Sequence, residues 1–422
     1  MKKMIMAAGL AAVSAFAQWG GGMGGGFGGP QSGNSKIEYS EKFEDLNYVG
    51  DGKVYHALDL YLPKETKDSY PVVIHTYGSA WSQNNSKGSA DLNTICAALL
   101  KAGYAVVTPN HRSASDAIYP AQLHDLKAVV RFLRGNSAKY KIDTSFIAMS
   151  GFSSGGHLSS LVATTCGLKE GKSGAVTVDL VGSLGNFTEF SSCIDAASLW
   201  SPPTDIYTMN PINNFMGSGT YEGAFIGAER EGNKDKWMVA SSPYYASDDD
   251  PPVILFHGTS DQIVNKEQSQ ELYDSLKHHN VVTELVSVQG GSHGGNEMYV
   301  DANLQKMVQF FDEAREAKKA NASEKSPDSS KTDSTATGSQ DSTLELSSRF
   351  VDKHGIEIIG NRLQIHGSSA EVRYTIHSVS GTEIAKGMFS KELDLSSLPV
   401  GVYGIVVQSS PGLAKVIRFV RK

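Results

Sequence analysis

The sequence has few cysteines, no strong excess of either charge and almost no long apolar runs. Three cysteines in 422 residues (Cys96, Cys166 and Cys193) are too few for a disulfide framework, and they lack the paired short spacing of a zinc site. Lys and Arg number 38 against 45 Asp and Glu, a formal net charge of -7. There is thus no basic stripe to neutralise a phosphate backbone, and no nucleic-acid partner is expected. Beyond the N-terminus no apolar stretch approaches the roughly 18 residues that span a bilayer, so no transmembrane segment is expected. What is abundant is glycine: 43 residues, alongside 16 Phe, 17 Tyr, 4 Trp and 40% hydrophobic residues, a composition able to bury a sizeable core.

Lys2 and Lys3 precede the apolar run from Met4 to Val13, and Ala15-Phe16-Ala17 has the small-x-small form of a cleavage site. Residues 1–17 therefore read as a secretory signal peptide, and the protein is expected to be secreted or held at the cell surface. In an oxidising compartment Cys166 and Cys193 can pair or remain buried thiols, and both readings stay open. Residues 18–35, with WGGGMGGGFGGP, read as a flexible tether. Residues 320–346 are dominated by Ser, Thr, Asp and Lys and read as a second linker. Between them residues 36–319 form one large domain, followed by a small one at 347–422.

In the large domain short apolar runs (Pro71 to Tyr77, Tyr104 to Thr108, Phe146 to Met149, Ala196 to Trp200, Pro252 to Phe256) are nearly continuous, as in strands buried on both faces. Amphipathic stretches lie between them, such as Gln122 to Leu133. This alternation predicts an α/β fold with a doubly wound, mainly parallel sheet. His56 to Leu62 alternates apolar and polar residues and predicts an antiparallel hairpin at the sheet's edge.

Gly151-Phe152-Ser153-Ser154-Gly155 fits G-x-S-x-G, the strand-to-helix elbow that exposes a serine hydroxyl. The pattern is cheap in a chain this rich in Gly and Ser, and Gly290-Gly291-Ser292-His293-Gly294 also matches. Context selects the first, which follows a strand and opens a helix. A serine hydroxyl needs a base within hydrogen-bond reach and an acid to orient that base. Asp261 follows the strand ending Phe256-His257-Gly258, and His293 follows the strand Thr283 to Val288, so Ser153, Asp261 and His293 stand in the order required on such a sheet. His157 and His257 read as core histidines. Backbone N–H groups of Ser154, and of Gly78 and Ser79 in the loop after the strand Val72 to Tyr77, are the candidate oxyanion donors. No cofactor or metal is called for.

With these residues the chain resembles the α/β-hydrolase superfamily, in its exported acetyl/feruloyl esterase-like branch related to hormone-sensitive-lipase-type carboxylesterases. The motifs are GFSSGGHL at Gly151 to Leu158, Tyr119 to Asp125, Ser201-Pro202-Pro203-Thr204-Asp205, His257 to Asp261, and Gly291 to Gly294. Where that family carries HGGGW this sequence has Tyr77-Gly78-Ser79-Ala80-Trp81. The resemblance implies Tyr77 and Trp81 beside the substrate and a variable insertion, Ile206 to Val239, whose Tyr207, Phe215, Tyr221, Phe225 and Trp237 are candidates to stack on an aromatic acyl group or a sugar.

The C-terminal domain has short strand-like runs at Ile356 to Ile359, Arg362 to His366, Val372 to His377 and Val402 to Val407, which predict a small β-sandwich. It resembles the sorting domains of the type IX secretion system in Gly360 to Ile365, Leu395 to Tyr403 and the basic end Lys415 to Lys422. The expected function is a secreted serine esterase acting on acetyl or feruloyl esters of plant polysaccharide, with secretion machinery as a partner through the C-terminal domain. The alternatives are a peptidase or amidase with the same constellation, or a non-catalytic polysaccharide-binding protein.

Overall fold

Among the described residues of the first unit, Met1–Asp328, there are ten strands, and eight of them make one sheet. In chain order they are β1 (Glu41–Asn47), β2 (Ala57–Leu62), β3 (Tyr70–Thr76), β4 (Ala105–Pro109), β5 (Ile142–Phe152), β6 (Glu170–Ser173), β7 (Val176–Asp179), β8 (Ala197–Trp200), β9 (Val253–Gly258) and β10 (Thr283–Val288). The large sheet runs β1-β2-β4-β3-β5-β8-β9-β10, with β6 and β7 as a separate hairpin. From β4 onward every pairing in the large sheet is parallel, whereas β1–β2 and β2–β4 are antiparallel. The helices are α1 (Ala97–Lys101), α2 (Ala121–Gly135), α3 (Ser137–Tyr140), α4 (Ser154–Thr164), α5 (Tyr221–Ile226), α6 (Lys234–Met238), α7 (Glu267–His278) and α8 (Asp301–Glu324). This is the α/β-hydrolase architecture. The computed structural model describes residues 37–89, 91–213 and 219–324, and in the C-terminal part 356–359, 362–365, 372–378, 383–399, 401–410 and 413–421. The expected signal peptide and tether, Phe215 and the linker beyond Glu324 lie outside the described residues.

Alternate strand residues serve two cores. Val72, Ile74, Val253 and Leu255 face a cluster completed by Leu126 and Val130 of α2, Leu158 of α4 and Leu272 of α7. Val73, Ile254 and Phe256 face the other side, where Leu99 of α1 and Met307, Phe310 and Phe311 of α8 cover them. Helices on both faces are why these strands read as continuous apolar runs. The antiparallel hairpin expected at the sheet's edge is β1–β2, but β2 itself is second from the edge and buried along its whole length, not on one face alone. Its Asp59 is tolerated there because Lys87 Nζ lies 2.6 Å and Lys42 Nζ 3.2 Å from the carboxylate. The true edge, β1, carries Glu41, Lys42, Glu44 and Asp45, and its register shifts between Phe43 and Leu46, so no two-residue period marks it. Residues 320–324, expected to be linker, have helical backbone at the end of α8.

The Tyr119 to Asp125 motif proves to be a staple. The buried Asp125 carboxylate accepts from Arg112 Nη2 at 2.6 Å and Nε at 3.0 Å, fixing the start of α2 to the loop after β4. Further along α2, Lys127 donates to the carbonyls of Thr165 and Leu180 (3.0 and 2.6 Å), Arg131 to those of Val181 and Leu184 (3.1 and 3.2 Å), and Arg134 to that of Cys193 (2.8 Å). These cations at helical spacing hold one segment, which the Cys166–Cys193 disulfide closes into a loop. Cys96 lies in the second core.

The second unit, Ser329–Lys422, contains β11 (Ile356–Ile359), β12 (Arg362–Ile365), β13 (Val372–Ser378), β14 (Glu383–Phe389), β15 (Glu392–Asp394), β16 (Gly401–Ser410) and β17 (Leu413–Arg421). They form antiparallel sheets β11-β12-β15 and β14-β13-β16-β17. Leu363 of one sheet joins Ile376, Phe389, Tyr403 and Ile405 of the other in one cluster, the core of a small sandwich. The basic C-terminal end is itself a strand, β17, paired with β16.

Replacing Cys193 by serine is expected to destabilise the first unit by about 2–4 kcal/mol in urea unfolding, and dithiothreitol should do the same to the unaltered protein. Identical curves with and without the reductant would show that the bridge contributes no stability.

Candidate active site

Ser153 stands alone between β5 and α4, at φ 52° and ψ -125°. A non-glycine residue pays for such a backbone in strain, and the surroundings must enforce it. They do so through glycine: a Cβ on Gly151 would run into the backbone of Gly155, and one on Gly155 into the carbonyls of Thr76 and Tyr77. The Ser153 N–H donates to Trp200 O at 2.8 Å, and the Ser153 carbonyl accepts from His157 N at 3.0 Å, so the turn is bonded on both sides.

The loops after β9 and β10 bring the other two residues in. They touch at Gly258, where a side chain would strike the Gly291 carbonyl, and are tied by Thr259 N to Val288 O and Ser260 N to Gly291 O, both 2.9 Å. The second G-x-S-x-G match is thus the turn that presents His293, with Gly290 and Gly294 at φ 72° and 71°. His293 Nδ1 lies 2.8 Å from Asp261 Oδ2, and its Nε2 lies 2.9 Å from Ser153 Oγ. The Phe152 ring packs against the imidazole at 4.9 Å between centroids.

Asp261 is excluded from solvent. Burial alone would raise its pKa, but hydrogen bonds and charge from His257 and His293 outweigh burial and hold it well below the usual carboxylate range. Its Oδ1 also accepts from the N–H groups of Ile263 and Val264, at 2.9 and 3.0 Å. An ionised carboxylate only accepts, so the His293 proton sits on Nδ1 and Nε2 is left to accept the Ser153 hydroxyl hydrogen. Such an arrangement can activate a hydroxyl for attack on a carbonyl.

The candidate oxyanion donors are placed differently from one another. Gly78 approaches so closely that a Cβ there would lie 2.8 Å from Ser153 Cβ and 2.7 Å from the Phe152 ring, and Ser154 follows the serine directly. The Ser79 N–H, however, donates to Ser154 Oγ at 2.8 Å. The loop then turns through Ala80 and Trp81 at φ 47° and 55°, left-handed positions that favour glycine. Tyr77 and Trp81, expected beside the substrate, are 2% and 1% exposed and spend their rings on protein. Tyr77 stacks on His111, with ring centroids 4.8 Å apart. Trp81 stacks on Phe225 (4.8 Å) and donates from Nε1 to His157 Nδ1 (3.1 Å). His157 in turn donates from Nε2 to Ala240 O at 2.8 Å, and burial pulls its imidazole down to about 4, a satisfied core histidine. Of the insertion's aromatics, Tyr221, Phe225 and Trp237 are buried. Tyr207 lines a polar cavity of about 520 Å³ with Arg230, Asn233 and Lys234, which includes no residue of the triad.

Sequence reasoning missed the position of His257, whose Nε2 lies 3.4 Å from Asp261 Oδ2. The available signal was its place four residues before Asp261 at the end of β9. Among the described residues no group of three or more His, Cys, Asp or Glu is placed to hold a metal ion, and no helix is long and apolar enough to cross a membrane.

Because the folded carboxyl of Asp261 is depressed, its contribution to stability is complete above the ordinary carboxylate value of about 4 and is lost as pH falls towards the folded value. The gap in urea midpoint between the unaltered protein and Asp261→Asn should therefore be constant from about pH 6 to 8 and narrow below about pH 4. A gap that widens on acidification would contradict this.

Similar proteins of known kind bear on the site. The chain is similar to a truncated carbohydrate esterase from gut microbiota at 39% identity and TM-score 0.63, covering 68% of this chain and 100% of that one. It is similar to a bifunctional GH43-CE protein of Bacteroides eggerthii at 42% identity and TM-score 0.62, covering 65% of this chain and 35% of that one. A probable carboxylic ester hydrolase, LipM of Mycobacterium tuberculosis, is 26% identical over 55% of this chain and 51% of its own length. The chain spans about half the length of the curated relatives it matches. The BD-FAE family model matches residues 58–276, from β2 through α7 and including Ser153 and Asp261. With more than half of its residues inside that match, the chain belongs to the BD-FAE family.

Proposed function

We propose that the protein is an exported serine carboxylic-ester hydrolase that removes acetyl or feruloyl groups from plant cell-wall polysaccharide. The observation that carries the reading is the unbroken relay from Asp261 Oδ2 through His293 to Ser153 Oγ, with contacts of 2.8 and 2.9 Å at a strained elbow. In this reading Ser153 Oγ attacks the acyl carbonyl while His293 Nε2 takes its proton. The negative charge of the tetrahedral intermediate develops beside the backbone N–H groups of Gly78 and Ser154. His293 returns the proton to the departing alcohol oxygen, and water activated by the same imidazole cleaves the acyl-enzyme.

A carbohydrate ester as substrate is supported by the two similar structures, one named a carbohydrate esterase and the other a GH43-CE protein. Export is supported by the pattern of residues 1–17, and a secretion-machinery partner by the motifs in residues 347–422.

The test is incubation with acetylated and with feruloylated xylan, identifying the acid released. Acetic or ferulic acid should appear, and Ser153→Ala should lower its rate by at least about a thousandfold. Release by Ser153→Ala at the unaltered rate, or cleavage of an aminoacyl anilide without release of either acid, would overturn the assignment. The exported protein should begin at Gln18 by N-terminal sequencing; a mature protein that retains Met1 would refute the signal peptide.

A further inference from the structure

His257 is 2% exposed, occupies the next-to-last position of β9, and has no part in the chemistry above. Its ring is held at both nitrogens. Nδ1 lies 2.6 Å from Ser269 Oγ, in the first turn of α7. Nε2 lies 2.9 Å from Val264 O and 3.4 Å from Asp261 Oδ2. Both atoms facing Nε2 are acceptors, a carbonyl and an ionised carboxylate. The proton must therefore reside on Nε2, leaving Nδ1 to accept the Ser269 hydroxyl hydrogen. The other titratable groups around this ring are His293, which meets the same Asp261 oxygen, and Glu267 at the start of α7.

Asp261 Oδ2 is thus approached by two imidazole N–H groups, one from each histidine. Oδ1 is pinned by the N–H groups of Ile263 and Val264. Two donors on Oδ1 leave the carboxylate free to tilt about them, and a second imidazole N–H beside Oδ2, in addition to that of His293, restrains the tilt. Val264 is the hinge of the arrangement: its N–H binds Asp261 and its carbonyl orients His257, so one residue sets both partners.

We propose that His257 is a positioning residue that shares its Nε2 proton between Val264 O and Asp261 Oδ2, fixing the carboxylate plane that orients His293. The proposal rests on the reading of Ser153 as a nucleophile.

Two amide substitutions separate this role from packing. In His257→Gln the side-chain amide reaches the place of Nε2, whereas in His257→Asn it reaches only the place of Nδ1, beside Ser269. With an aryl acetate substrate, His257→Asn should lower kcat about tenfold with KM held within about twofold, and His257→Gln should recover most of the loss. Equal activity of the two variants, or a loss confined to KM, would overturn the proposal. A measurement on the unaltered protein makes the result independent of whether either variant folds. Nitrogen-15 NMR of the imidazoles should show His257 as the Nε2–H tautomer, and a proton on Nδ1 alone would refute the shared donor. If Ser153→Ala retained full activity, the esterase reading would fail while the tautomer would stand, so the two failures are distinguishable.

Discussion

One strained residue organises the first unit: Ser153, held at φ 52° by neighbours that leave it no alternative. A backbone of this kind costs about 1–3 kcal/mol, and it persists because the strands on either side are in fixed register. Thr76 of β3 pairs with Gly151, Phe152 with Trp200 of β8, Trp200 with Phe256 of β9, and Gly258 with Val288 of β10. The carboxyl ends of five parallel strands therefore finish close to one level, which brings the loops that leave them together. The stacked rings of Trp200 and Phe256, 4.0 Å apart, brace the strands beneath those loops. Neither glycine of the elbow can carry a side chain without striking backbone, which is why Gly151 and Gly155 belong to the fold as much as to the site.

Electrostatics follows from the same geometry. Asp261 is dry, and a dry carboxylate stays ionised only where donors converge on it. Two backbone N–H groups and the His293 Nδ1–H do so here, with His257 Nε2 3.4 Å away. Its charge fixes which nitrogen of His293 holds the proton, and that choice leaves the other nitrogen open to Ser153. His157, more deeply buried and without an acid partner, is spent on Trp81 and Ala240. The two histidines differ in partners, not in residue type.

The parallel strands were legible in the sequence because both their faces are covered, which produces continuous apolar runs. The triad was legible because chain order on such a sheet is restrictive. Edge strand β1 was hidden by its charges and by its shifted register. Hairpin β6–β7, with Glu170, Lys172 and Asp179, carries too little apolar signal to be seen. At the site the failures are of another kind. That the Ser154 hydroxyl takes the Ser79 amide, or that Trp81 turns its ring to Phe225 and not outward, depends on contacts between residues far apart in the chain. Composition left the pairing of Cys166 with Cys193 open, whereas the placement of their segment along α2 decides it.

In the proposed reaction Ser153 alone is raised to a nucleophile, by His293 and through it by Asp261. Treatment with a fluorophosphonate followed by mass spectrometry of the proteolytic fragments tests this directly. A single adduct is predicted, on the fragment that contains Ser153 and assigned to that residue by fragmentation, and it should be lost in His293→Ala. An adduct on Ser154 or Ser292, or labelling of Ser153 that proceeds equally fast without His293, would contradict the account.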